Sequence, residues 1–128
     1  MAKKVVIVDK DKVFVESARQ AFEDKGFSVE AVSGVVKCIE SVKNKRPDVI
    51  LFDVQVEEND GGLIACRKVA THEKIKDIPV IMISGIRKDK NLPFGFEADS
   101  EFLPVRAVVE KPVKPEELVV LIDKILGK

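Results

Sequence analysis

Short apolar runs rich in Val and Ile recur along the chain, and the strongest of them stop at a charged or hydroxyl residue. Runs of roughly four to eight apolar residues between polar ones are typical of strands buried on both faces. The pattern predicts four such strands and a weaker fifth, at Lys4 to Val8, Pro47 to Asp53, Ile78 to Ser84, Arg106 to Glu110 and, more weakly, Phe27 to Val32.

Between these runs the apolar positions recur with the spacing of a helix. The segment Lys12 to Lys25 has an apolar face, and Gly26 follows it as a C-terminal stop. Similar stripes run from Val35 to Val42 and from Leu63 to Ala70, and Pro115 opens a last amphipathic helix. Buried strands that alternate with amphipathic helices predict a doubly wound α/β domain, with a parallel sheet covered on both faces.

One stretch does not follow this alternation. Arg87 to Pro104 should carry the fourth helix, but it contains Pro93 and Gly95 and lacks a helical stripe. We expect a short, distorted helix there, followed by a loop.

Length and composition narrow the class of protein. The chain has 128 residues, which predicts one domain over residues 1–128. Its 22 basic and 22 acidic residues cancel, so we expect no direct nucleic-acid partner. Two cysteines without metal-ligand spacing indicate free thiols in a reducing compartment. The apolar runs are too short for a signal-peptide core or a membrane span, so a cytoplasmic protein is expected.

Residues whose side chains can bind a metal or take part in catalysis stand at or just after the ends of the predicted strands. Asp9 ends the first strand with Asp11 two residues on, Asp53 ends the third, Ser84 ends the fourth, and Lys111 follows the fifth. Ligands of open α/β sheets bind outside the carboxyl ends of the strands, so these side chains should converge. Paired carboxylates suit Mg²⁺, while a hydroxyl and an ammonium suit phosphoryl oxygens. A carboxylate can also attack phosphorus and form an acyl phosphate.

Five segments together resemble the response-regulator receiver domain, a CheY-like family, over essentially the whole chain. They are VVIVDKD, PDVILFDV, DGG, IPVIMISG and EKPVKPEEL, in the order of that family. The resemblance implies a flavodoxin-like sheet of five parallel strands in the order 2-1-3-4-5. It also implies a phosphorelay function, in which a histidine kinase or phosphotransfer protein is the donor and an unidentified downstream protein is the target.

The resemblance also implies roles for individual residues. Asp53 is the phosphoacceptor, Asp9 is an acid of the Mg²⁺ site, and the backbone carbonyl of Gln55 is a further metal ligand. Ser84 is the switch hydroxyl, and Lys111 is the lysine that contacts the phosphoryl group.

The metal site departs from the pattern of the family. Receivers usually carry a second acid directly after the first, and this chain has Lys10 there. A cation in place of an anionic ligand should weaken Mg²⁺ binding, and Asp11 would compensate only in part because successive residues point in different directions. The Lys10 ammonium would also supply some of the missing positive charge near Asp53.

A second departure concerns signal output. The family commonly has Tyr or Phe three residues before the lysine, and this chain has Val108. Phe94, Phe96 and Phe102 lie in the long segment before the fifth strand, and one of them is a candidate to take over the role.

Two other functions remain open at this stage. A pseudo-receiver would keep the fold without phosphorylation and act as a docking module, which Lys10 and Val108 favour. A phosphatase of the haloacid-dehalogenase type would use Asp9 as nucleophile and Asp11 as acid, since VVIVDKDKVF resembles its first motif. That family also needs a later acidic pair that includes aspartate, and Asp123 is the one aspartate after Lys111.

Overall fold

The structure is a computed structural model that describes residues 3–53, 67–73, 75, 77–84, 105–110 and 113–127, with the backbone alone at 35, 84 and 110. In chain order its elements are β1 (Lys4–Val8), α1 (Lys12–Asp24), β2 (Ser28–Val32), α2 (Val35–Lys45), β3 (Val49–Asp53), α3 (helical residues 67–71), β4 (Val80–Ser84), β5 (Ala107–Glu110) and α4 (Pro115–Ile125). The predicted residues 63–66 of the third helix and the segment 87–104 lie outside the described residues.

The described strands form one parallel sheet in the order β2-β1-β3-β4-β5. This confirms the predicted doubly wound α/β fold. β2 and β5 begin one residue later than the apolar pattern predicts, and β3 and β4 begin two residues later. Pro47 and Pro79 precede β3 and β4, and proline has no N–H to donate to a strand ladder. The apolar residue Ile78 is buried all the same, which is why the pattern extended to it.

The sheet separates two apolar layers, because successive strand residues point to opposite faces. One layer joins the strands to α1 and α4 and includes Ile7, Leu51, Ile83, Phe22 and Ile122. The other lies on the α2 and α3 side and includes Val8, Phe52, Met82, Cys38 and Val69. Every residue of β3 is buried, so this strand is the centre of the core.

β2 lies at one edge of the sheet and is tied to both neighbouring helices. Arg19 of α1 donates from Nη1 to the carbonyl of Val29 at 3.2 Å. On the other side, the Ser41 hydroxyl of α2 donates to Glu30, and Lys45 Nζ lies 3.3 Å from the same carboxylate. These contacts lower the pKa of Glu30, mainly through the Ser41 hydrogen bond.

No helix in the described parts of the chain is long and apolar enough to span a membrane.

Candidate functional site

The register of the sheet brings Asp9 and Asp53 to the same level of two adjacent strands. Val8 pairs with Phe52, and each of these residues is followed directly by one of the two acids. Neighbouring strands are about 4.8 Å apart, so the two backbones are close at this point. Asp9 is 7% exposed and Asp53 is 2% exposed. The carboxyl ends of β1 and β3 therefore hold two buried acids beside each other, as the sequence predicts.

The Asp9 carboxylate is held by the chain that follows it. The backbone N–H of Asp11 donates to Asp9 Oδ1 at 2.8 Å. A hydrogen bond to the charged form stabilises a carboxylate, and it also fixes the direction of the remaining lone pairs. The turn between β1 and α1 therefore orients Asp9 at the end of the sheet.

Asp11 has a structural role that sequence reasoning missed. It is the N-cap of α1, and its Oδ1 accepts the backbone N–H of Phe14 at 3.1 Å. The signal is present in the sequence, because an Asp directly before the first residue of an amphipathic helix is a common start signal. One oxygen of Asp11 is thus engaged in capping, and a role in metal binding stays a prediction.

Lys10 lies between these two acids and is exposed. It forms no salt bridge with any other residue that the structure describes. Within the described residues, no group of three or more His, Cys, Asp or Glu side chains is arranged to hold a metal ion. The described part of the site therefore offers two neighbouring carboxylates, without the third acid that Lys10 replaces.

Two carboxylates are a chemically suitable donor set for Mg²⁺. This ion takes hard oxygen ligands and is often bound through one or two carboxylates together with phosphate oxygens and water. Asp9 and Asp53 fit that description through their burial and their adjacent strand ends. Gln55 lies outside the described residues.

The carboxyl ends of β4 and β5 lie at the same edge of the sheet as those of β1 and β3. Asp53 pairs with Ile83, so the backbone of Ser84 lies one residue beyond it, and Ser84 in turn pairs with Glu110. Lys111 follows Glu110 but lies outside the described residues. The strand ends of β1, β3 and β4 are thus brought together as predicted.

Val108 lies in β5 opposite Met82 and is half-buried against the core layer on the α2 side. An aliphatic side chain therefore occupies the position where the receiver pattern has an aromatic one. Phe94, Phe96 and Phe102 lie outside the described residues.

A family model described as the response regulator receiver domain matches residues 5–123. Response regulator MprA from Mycobacterium sp. (strain KMS) is 28% identical, over 100% of this chain and 52% of its own length. The transcriptional regulatory protein CseB of Streptomyces avermitilis is 31% identical, over 97% of this chain and 49% of its own length. The chain thus spans about half the length of these curated relatives.

Solved structures agree on the fold. A putative response regulator from Chloroflexus aurantiacus superimposes with a TM-score of 0.78 and 23% identity, and the match covers 100% of both chains. The chain belongs to the response regulator receiver domain family. Receivers are signalling domains of two-component systems, in which response regulators partner with histidine kinases. The family generally binds Mg²⁺ in its acidic pocket.

Proposed function

We propose that this chain is a phosphoacceptor receiver that takes a phosphoryl group from a histidine kinase or phosphotransfer protein onto Asp53. The phosphorylated form then acts on a downstream protein through protein contacts. One observation carries the proposal. The Asp53 carboxylate is buried at the carboxyl end of the central strand and lies level with the buried Asp9 on the next strand.

The proposed step is a displacement at phosphorus. An Asp53 oxygen forms a bond to phosphorus while the bond to the donor imidazole nitrogen breaks, and the electron pair stays on that nitrogen. The product is an acyl phosphate on Asp53. When bound, Mg²⁺ supplies positive charge against the developing phosphoryl charge. Asp9 is kept in position for such an ion by the N–H of Asp11.

Ser84 and Lys111 complete the proposed site. Through a hydroxyl and an ammonium group they would bind the phosphoryl oxygens that face away from the metal. The placement of Ser84 at the end of β4, one residue beyond the level of Asp53, supports this assignment. The remaining metal ligand is proposed to be the backbone carbonyl of Gln55.

Lys10 is proposed to make the chain an atypical receiver with weakened Mg²⁺ binding. Its positive charge directly follows Asp9, so it opposes the approach of a divalent cation. Asp11 is the alternative acid for the site, although one of its oxygens caps α1.

The test is phosphorylation of the purified chain by acetyl phosphate with and without Mg²⁺, followed by intact-mass measurement and mapping of the modified residue. We expect a gain of one phosphoryl group on Asp53 in the presence of Mg²⁺ and none in Asp53→Asn. A matched control is Asp77→Asn, which removes an exposed carboxylate elsewhere and should leave the reaction unchanged. Unmodified wild-type protein under these conditions would refute the phosphoacceptor proposal.

A second candidate function is a docking module that is not phosphorylated. The exposed Lys10 beside the acid pair favours it, as does Val108 in place of an aromatic residue. Beryllofluoride, which mimics a phosphoryl group, separates the two candidates. No mass gain with acetyl phosphate and Mg²⁺, together with no change in the NMR spectrum with beryllofluoride and Mg²⁺, would leave only docking. Phosphate mapped to Asp9 would instead support the haloacid-dehalogenase alternative.

We also propose that residues 1–128 form one receiver domain that works in the cytoplasm. Direct binding of nucleic acid is outside the proposal, since the chain has 22 basic and 22 acidic residues and so carries no net charge.

A further inference from the structure

A cleft of about 440 Å³ lies between the first half of α1, the end of β2 and the start of α2. Small-molecule sites commonly enclose roughly 300 to 1,000 Å³, so the volume suits a ligand of modest size. Its apolar surface comes from Val15, Ala31 and Val32. The cleft lies beside β2 at the edge of the sheet and does not include Asp53.

Three cationic side chains line this cleft, and one of them is already engaged. Arg19 lies 3.5 Å from Glu16 and 3.8 Å from Glu23, and it donates to the Val29 carbonyl. The charge of Arg19 is therefore balanced within the protein. Arg19 in turn balances the charge of Glu16, which also lines the cleft.

The other two cations, Lys12 and Lys37, are exposed and come from α1 and α2 on opposite sides of the cleft. Neither forms a salt bridge with another residue that the structure describes. The remaining acid of the lining, Asp9, already accepts the N–H of Asp11. The lining thus combines an apolar surface with two lysines that lack a carboxylate partner in the described chain.

We propose that this cleft binds a small organic anion. Its anionic group, a carboxylate, phosphate or sulfonate, lies between Lys12 and Lys37, and its apolar part packs on Val15, Ala31 and Val32. Electrostatic attraction and burial of apolar area act on different parts of such a ligand, so each adds to the affinity. This cleft borders the proposed metal site, because Asp9 lines both, but it does not include Asp53 and does not require phosphorylation of Asp53.

The test is a titration of ¹⁵N-labelled protein with benzenesulfonate, followed by amide chemical shifts, without Mg²⁺. This probe has an apolar ring and a permanent negative charge, and it cannot donate a phosphoryl group. We expect saturable shifts at Ala31, Val32 and Ser33, with a dissociation constant in the millimolar range. Benzyl alcohol, which has a ring without the charge, should bind more weakly.

Variants test the role of the charges. Lys12→Gln and Lys37→Gln should each weaken binding about threefold, as expected for a partly solvated ion pair, and together about tenfold. Lys43→Gln removes an exposed lysine from α2 outside the cleft and should leave the affinity unchanged. Asp53→Asn should also bind as wild type.

Three results would overturn the proposal: no saturable shifts in the millimolar range, shifts located away from the cleft, or an affinity unchanged in the double variant. Equal binding of benzyl alcohol would overturn it as well, because the charge would then contribute nothing. The amide spectrum reports in the same measurement that each variant is folded.

Discussion

Lys10 directly follows the buried Asp9, and replacing it by Asp tests whether this cation sets the affinity of the site for Mg²⁺. Lys10 is exposed, so the substitution changes charge without opening a cavity in the core. Lys10→Asp changes the local charge by two units in the direction that attracts a divalent cation. We expect the variant to bind Mg²⁺ more tightly than wild type.

The magnitude follows from Coulomb's law for an exposed group. For a charge change of two acting on a divalent ion at about 8 Å in water, the energy is about 2 kcal/mol. At physiological ionic strength, screening over a Debye length of about 8 Å reduces this to roughly 0.8 kcal/mol, which is about fourfold in affinity. Lys10→Gln changes the charge by one unit and should give about half of this free energy, or about twofold.

Isothermal titration calorimetry with Mg²⁺ measures the affinity directly and does not depend on phosphorylation. Lys25→Asp is a matched control, because it makes the same charge change at an exposed position at the far end of α1. Its affinity should stay close to wild type. If the Asp and Gln variants at position 10 bind Mg²⁺ no more tightly than wild type, Lys10 does not oppose metal binding and the reasoning is refuted. A much larger gain would indicate that the new Asp ligates the ion.

Three further predictions concern stability and reactivity. Arg19→Ala should lower the free energy of unfolding by about 1.5 kcal/mol in urea titrations, since the Val29 carbonyl loses a charged donor. Ser41→Ala should lower it by about 1 kcal/mol near pH 7. Glu30 has a lowered pKa in the fold, so its ionised form adds to the free energy of unfolding at pH values above its ordinary pKa of 4.5. This stability is lost as the pH falls through the pKa of Glu30 in the folded protein. In Ser41→Ala the loss of stability at acid pH should be smaller. The Cys38 thiol is fully buried, which raises its pKa to about 12, and thiol reagents should modify it only as the protein unfolds.

Each of these has a contradicting outcome. Unchanged urea midpoints in Arg19→Ala would mean that water replaces the arginine at Val29 without cost. If stability falls with decreasing pH in Ser41→Ala as it does in wild type, the Ser41 hydroxyl is not what lowers the pKa of Glu30. Rapid labelling of Cys38 in native protein would contradict its burial.

The elements of the fold were predictable because hydrophobic pattern and secondary structure share the same periods. The run at Lys4 to Val8 and the start of the last helix at Pro115 match the observed bounds. The predicted start of a strand was wrong where a residue is buried like a strand residue but the backbone does not join the hydrogen-bonded ladder. Ile78 is buried like a strand residue, but Pro79 after it cannot donate to the ladder, so β4 begins only at Val80.

From the sequence, the site could be predicted as far as which strand ends carry its residues. Parallel strands put their carboxyl ends on one rim, which is why Asp9 and Asp53 could be placed together before the register was known. What the sequence did not predict are contacts that depend on the geometry of a single turn or on tertiary distance. The N–H of Asp11 on Asp9 is of the first kind, and Arg19 on the Val29 carbonyl is of the second.

The contact of Arg19 in α1 with β2 also affects how copies of this chain behave at high concentration. An outer strand with open carbonyls is a template on which another chain can add a strand. Arg19 covers the Val29 carbonyl of β2 with a charged side chain that an incoming backbone would have to displace. The same contact that fastens α1 to the sheet therefore discourages edge-to-edge self-association, and its removal should favour aggregation.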